Sequence, residues 1–249
     1  MYPKFSESFY ALPSIVFSID GYFPVQKRSR KNLMAHIHLE DGSFTLVWVV
    51  VWWACALLLI GVSLYLVRSA QKPDNRRITI AAFCTAAAFA IFQISIPIFG
   101  GVHMNLTPLI GILTGPAIGS LVVLIINILS AAIGHGGWSM IGANTLVNIA
   151  EVAVAYATWR LLKPFIPGLF PRAGIATIAG LLCGNITMIL IIVISGIQGV
   201  NQSTAQLLTG LSLLAAVNMG VAVIEAFVTG MIVAYIGKVR PDLLPGERP

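Results

Sequence analysis

The sequence predicts an all-α fold, a polytopic membrane bundle of about seven transmembrane helices with its N-terminus outside and its C-terminus in the cytoplasm. Three observations predict it. The 249 residues are 57% hydrophobic and only 10% charged, whereas soluble domains carry roughly 25% charged and 45–50% apolar residues. Several apolar runs reach the ~18–20 residues needed to cross hydrocarbon. Finally, Lys and Arg gather in alternate connecting segments, the signature of short loops kept on the inner side of a membrane.

Taken in order, the apolar runs lie at about 44–67, 78–98, 106–133, 141–163, 173–197 and 207–236. The run 106–133 is too long for one ordinary span and carries Gly115-Pro116 in its middle. Proline removes a backbone donor and clashes with the preceding turn, so this run divides into a short helix and a full one, which brings the count to seven. Arg68, Lys72, Arg76 and Arg77 fall between the first two spans, Arg160, Lys163 and Arg172 between the fifth and sixth, and Lys238, Arg240 and Arg248 after the seventh. Those ends are inner. Segments 99–105, 134–140 and 198–206 contain no Lys or Arg and are outer.

Residues 1–33 conflict with this pattern, because Lys27, Arg28, Arg30 and Lys31 would sit beside the outer end of the first helix, with Lys4 further upstream. The simplest expectation is that Met34 is the true translation start. A tolerated external tail is one rival. A cleaved signal is the other and fits poorly, since the segment lacks a basic n-region followed by an apolar h-region and a small-residue cleavage site. The expected domains are therefore a dispensable or disordered 1–33, a membrane domain over 34–240 and a cytoplasmic tail over 241–249. Cys55, Cys84 and Cys183 lie inside apolar runs without CxxC spacing, which indicates neither a disulfide framework nor a thiolate metal site.

His36, His38, His103 and His135 are the only histidines, and all four map to outer loops or outer helix ends. Such co-location suggests one site. Removal of an initiator Met34 would leave a free amine on Ala35, followed directly by His36. An amine, the adjacent deprotonated amide and an imidazole form fused chelate rings in a plane, an arrangement suited to Ni(II) or Cu(II). If Met34 is kept, His36 becomes the third residue, which also permits a planar chelate.

Inside the membrane, Asn144, Asn148 and Glu151 recur at i, i+4 and i+7 on one helix face, Asn127 lies on the fourth span, and Asn218, Glu225 and Thr229 share a face of the seventh. Polar groups in hydrocarbon are costly and face the bundle interior. The amides are expected to bond between helices, and the two glutamates to pair structurally or to wall a polar cavity rather than to ligate metal. Ala82, Ala86 and Ala90, and likewise Gly111, Gly115 and Gly119, are small residues at four-residue spacing, which allows helices to approach closely, either within the bundle or against another membrane subunit. No GxxxxGK[ST] phosphate loop and no HExxH motif occurs, so neither ATP hydrolysis by that route nor zinc hydrolysis is expected.

In chain order, "HLEDG" before an apolar helix, "GGVHMNLTPLIGILTGP", "GHGGWSMIGANTLVN" and "GVAVIEAFVTG" resemble the CbiM/NikM family over about Met34 to Tyr235. These proteins are the substrate-capture membrane components of energy-coupling factor transporters for cobalt and nickel. The resemblance implies seven helices, and a metal held by the N-terminal amine, a position-two histidine through its backbone nitrogen and side chain, and a loop histidine that matches His103. The position-two histidine is His38 by its spacing to Gly42 and His36 by proximity to the new terminus; His36 is favoured as chelator, with His38 close by. His135 and Asn144 match positions that orient ligands. Implied partners are a transmembrane coupling subunit and a cytoplasmic ATPase pair, often with a small accessory membrane protein, with the Ala82, Ala86 and Ala90 stripe as a docking face. The expected function is thus a non-enzymatic, multi-pass cell-membrane subunit that carries Co(II) or Ni(II) as substrate, holds no resident cofactor and binds no nucleic acid. A membrane metal sensor or stand-alone metal-binding protein is the alternative.

Overall fold

The computed structural model describes residues 41–69, 75–92, 104–197 and 204–244. Among the described residues there are six α-helices and no strand: α1 (Leu46–Ser69), α2 (Asn75–Phe92), α3 (Thr107–Ala132), α4 (Ile141–Leu161), α5 (Leu169–Ser195) and α6 (Thr204–Val239). Single 3₁₀ turns at Trp138–Met140 and Pro241–Leu243 lead into α4 and follow α6. Five of the helices are long and apolar enough to cross a membrane, and α2 adds a shorter apolar stretch, Ile78–Ile91. Each helix falls on one of the apolar runs of the sequence.

The long third run breaks where expected. Gly115 has φ 77° and ψ 170° and precedes Pro116, a conformation outside the helical region that a residue with a Cβ rarely adopts. A Cβ on Gly119 would stand 3.5 Å from Ile110 Cγ2 and 3.3 Å from Thr114 Oγ1, although nine residues of unbroken helix advance about 13 Å. The chain therefore turns back at Gly115, and 107–114 and 116–132 form a tight pair of helical segments. Gly111 and Gly119 both face α4, where added Cβ atoms would lie 2.5 Å from the Val152 carbonyl oxygen and 2.7 Å from Val152 Cγ1. These two glycines thus serve packing within the bundle.

Helix α4 is central, packed against α1, α3 and α5, while α6 pairs with α5 and α2 with α3. Two apolar layers fill the interior. One lies towards the end where α1 begins and contains Phe44, Met140, Ala143, Met188, Ile192 and Leu211. The other lies deeper and contains Ile112, Val123, Val152, Trp159, Ala176 and Val233. Along α4, α5 and α6 the residues between the two layers are polar, and that intermediate layer is the site described below. At the far end Arg172 is 1% exposed and stacks its guanidinium 3.8 Å above the Trp159 ring. Leu244, past the end of α6, is 2% exposed and joins the deeper layer.

Large apolar side chains cover the outside, among them Leu58, Phe83, Leu190, Phe227 and Met231. So much exposed apolar surface exceeds anything a monomeric soluble protein tolerates and matches a hydrocarbon environment. Trp48 and Trp52 stack with ring centroids 5.8 Å apart near the start of α1, as aromatic residues do at membrane interfaces. Trp52 Nε1 also donates to Ser195 Oγ at 2.8 Å and ties α1 to the end of α5.

Candidate metal-capture site

Between the two apolar layers lies a chamber of about 90 Å³ walled by Asn144, Asn148 and Glu151 of α4, Asn185 of α5, and Asn218 and Glu225 of α6, with Asn105 entering from the segment before α3. That volume holds several water molecules. The i, i+4, i+7 pattern on α4 is what turns its three polar side chains to a common wall. Asn218 Nδ2 donates to Asn185 Oδ1 at 2.9 Å across α5 and α6. Asn127 Nδ2 donates to Thr145 Oγ1 at 3.1 Å and Asn127 Oδ1 accepts from Asn148 Nδ2 at 3.4 Å, which joins α3 to α4 behind the chamber. Asn127, Asn148, Asn185 and Asn218 thus bond between helices.

The two glutamates hold the segment that leads into α3, Glu225 by its backbone and Glu151 by a side chain. Glu225 is 2% exposed, and its Oε2 and Oε1 accept the backbone N–H groups of Asn105 at 3.1 Å and Leu106 at 2.9 Å. Glu151, 5% exposed, accepts a hydrogen bond from the Thr107 hydroxyl. Both glutamates sit near the middle of their helices, so residues 105–107 reach mid-depth in the bundle rather than its rim. Leu106 is the one non-glycine among the described residues with positive φ, at 53°, a conformation that costs about 1–2 kcal/mol. Room for Glu151 comes from α5: a Cβ on Gly184 would fall 2.1 Å from Glu151 Oε1, and one on Gly180 2.8 Å from the Glu151 carbonyl oxygen.

A third carboxylate works at the end of the bundle. Asp41 accepts the backbone N–H of Ser139 at 2.8 Å, that of Trp138 at 3.2 Å and the Ser139 hydroxyl at 2.5 Å. The bond from the Ser139 side chain, followed by that from its backbone, holds the Asp41 carboxyl below the ordinary carboxylate range. This latch fastens the chain just behind His38 to the turn that follows His135.

Of the residues singled out in the sequence, Ala35, His36, His38 and His103 lie outside the described residues. Asn144, Asn148, Glu151, Asn218 and Glu225 come together in the chamber. His135 is half-buried, its N–H bonded to the Ser130 carbonyl oxygen at 2.9 Å; a Cβ on neighbouring Gly136 would lie 4.0 Å from Asn144 Nδ2. Ala82, Ala86 and Ala90 are exposed on α2, whereas Ala81 and Ala88 turn inward. Among the described residues no three His, Cys, Asp or Glu side chains gather as metal ligands. Sequence reasoning missed Asp41, Asn105, Thr107, Asn185 and the glycine pair Gly180 and Gly184. The four-residue spacing of that pair was a readable signal of close helix approach.

Residues 38–243 match the family described as the cobalt uptake substrate-specific transmembrane region, CbiM. The chain belongs to this family. It is 26% identical over 219 residues to "Putative cobalt transport protein CbiM 1" of Methanocorpusculum labreanum, covering 84% of this chain and 92% of that one. It is 28% identical over 214 residues to "Putative fused nickel transport protein NikMN" of Archaeoglobus fulgidus, covering 84% and 68%. A solved structure described as a transition metal transporter shares the fold, with a TM-score of 0.70 at 20% identity over 82% of this chain and 93% of that one.

Proposed function

We propose that the chain is the substrate-capture membrane component of an ATP-driven energy-coupling factor importer for Co(II) or Ni(II). The family match over residues 38–243 carries this reading. The relatives' names divide between cobalt and nickel, and divalent affinity rises from cobalt to nickel at most nitrogen sites, so the choice between them rests on the geometry around the metal.

In this reading the helical pair on either side of Gly115 brings the crossings to seven, with the start of α1 outside and the C-terminus cytoplasmic. The metal is captured on the outer face by the Ala35 amine, His36 and His103, with His38 close by. The match opens at His38, which favours that histidine's place in the site, and a terminus at Ala35 favours His36 for the chelate. His135 and Asn144, which flank the latched turn, orient the ligands. The exposed alanines of α2 offer a small-residue face to the coupling subunit, and ATP hydrolysis belongs to a cytoplasmic ATPase pair, with a small accessory membrane subunit completing the complex.

Co-purification and uptake test the proposal together. The tagged chain should retain ATPase subunits, and its deletion should abolish high-affinity uptake of labelled Co(II) or Ni(II) by whole cells. A chain that binds metal yet retains no ATPase and leaves uptake unchanged is a sensor or stand-alone metal-binding protein, and the transporter reading fails.

A further inference from the structure

The chamber between the two apolar layers carries more acceptor oxygens than the fold uses. Glu225 commits both carboxylate oxygens to the backbone clamp on residues 105 and 106. Glu151 does not. It is 5% exposed, its Oε2 accepts from the Thr107 hydroxyl, and its Oε1 accepts from no group among the described residues. That oxygen is turned to Gly184, where a Cβ would fall 2.1 Å from it, and Gly184 is itself chamber wall. The amides around it are open in the same way. Asn148 gives its Nδ2 to Asn127, which leaves its Oδ1 to the chamber. Asn185 Oδ1 accepts one bond, from Asn218 Nδ2, of the two a carbonyl oxygen takes. Among the described residues no Lys, Arg or His lines the chamber, although buried carboxylates are ordinarily paired or bound to a metal and intramembrane ionisable groups mark ion sites and pathways.

We propose that this chamber is a binding site for a hydrated divalent cation, held directly by Glu151 Oε1 and the Asn148 amide oxygen and through water by Asn185 and Asn218. Two carboxylates facing one chamber match the charge of such an ion. Asn148 and Glu151 stand three residues apart on one face of α4, about 4.5 Å along its axis, close enough to share one ion. Carboxylate, carbonyl and water oxygens suit magnesium and manganese, whereas imidazole suits nickel and copper, so the site differs in kind from a nitrogen chelate and uses none of the histidines. A magnesium-like ion keeps several waters and is held through one or two carboxylates, and a chamber of about 90 Å³ has room for them. The same hydrated chemistry has two sources, a resident Mg(II) or a cargo ion within the bundle.

The test uses the full chain in detergent micelles and Mn(II) as the probe, added after one equivalent of Ni(II) has occupied any nitrogen ligands. Manganese is weakest in the divalent series at such ligands, and its paramagnetic resonance separates free from bound ion. One Mn(II) per chain should bind, without nitrogen couplings from imidazole. Glu151→Gln removes the charge at constant size and should weaken Mn(II) binding about tenfold or more, the scale of one contact to a charged group. Asn148→Ala leaves the Thr107 contact untouched and should weaken it as well, which keeps the test decisive if Glu151→Gln does not fold, while Asn148→Asp should tighten it. Displacement of Mn(II) by Mg(II) but not by a second equivalent of Ni(II) identifies a resident ion, and displacement by that second equivalent identifies cargo. The proposal is overturned by the absence of saturable Mn(II) binding, by imidazole couplings to the bound ion, by Mn(II) that neither ion displaces, or by affinity unchanged in both Glu151→Gln and Asn148→Ala. A chain that binds Mn(II) in this way yet fails to take up the first equivalent of Ni(II) contradicts the metal-capture reading and leaves this site in place.

Discussion

Asp41 and Glu225 do the same chemical job in opposite surroundings. Each is a carboxylate that accepts two consecutive backbone N–H groups from a segment distant in sequence, Trp138 and Ser139 for Asp41, Asn105 and Leu106 for Glu225. Asp41 is exposed, and water can take its place at little cost. Glu225 is 2% exposed between the apolar layers, where a buried donor left unpaired costs about 1–3 kcal/mol. The difference predicts that the inner clamp sustains the fold and the site together, while the outer latch only restrains the entering chain.

The largest effect should come from Glu225→Ala. One buried and one half-buried donor lose their partner at once, so metal binding should be lost and the thermal unfolding temperature in detergent should fall. A variant that unfolds like the parent would mean the clamp is worth no more than the latch.

Gly184→Ala should come next. Its new methyl would overlap Glu151 Oε1, and overpacking of this kind costs about 1–3 kcal/mol. Glu151 should be pushed off Thr107, and affinity for Ni(II), measured by equilibrium dialysis, should drop about tenfold as for other losses of orienting groups.

Asp41→Asn should be smallest. Exposed charged contacts are worth about 0–1 kcal/mol, so metal affinity should fall by no more than about fivefold. The lowered Asp41 titration sets the sign of the pH dependence. The latch is fully present above the ordinary aspartate value of about 4 and is lost only as pH falls through the lowered folded value. The ratio of parent to Asp41→Asn affinity should therefore stay constant from about pH 5 to 8 and shrink only in stronger acid. A ratio that changes near neutrality would show that Asp41 acts through some other group.

The outer and inner anchors also differ in how far they could be read from the sequence. Spans were legible because twenty apolar residues have few uses, and the break at Gly115-Pro116 because both residues disfavour a continuous helix at that point. The α4 wall was legible because Asn144, Asn148 and Glu151 obey helical periodicity, as do Asn218 and Glu225 on α6. What those glutamates hold was not, since the 105–107 segment is 119 or 120 positions away from Glu225 along the chain and carries no periodic signal. Asn185 stands alone in an apolar helix, and its neighbour Asn218 comes from α6. Asp41 read as part of a family motif, but its partners at 138 and 139 lie 97 and 98 residues downstream. Periodicity exposes which face a side chain occupies, and only the packed bundle shows what stands opposite.

The measurement that bears most directly on metal capture is an equilibrium titration of the full, correctly processed chain with Co(II) and Ni(II), alongside His103→Ala and His135→Ala. His103→Ala should abolish binding through loss of a ligating imidazole, while His135→Ala should weaken it by about 10–100-fold as an orienting group. Equal losses, or a larger loss for His135→Ala, would contradict the account and assign the ligand to His135 instead of His103.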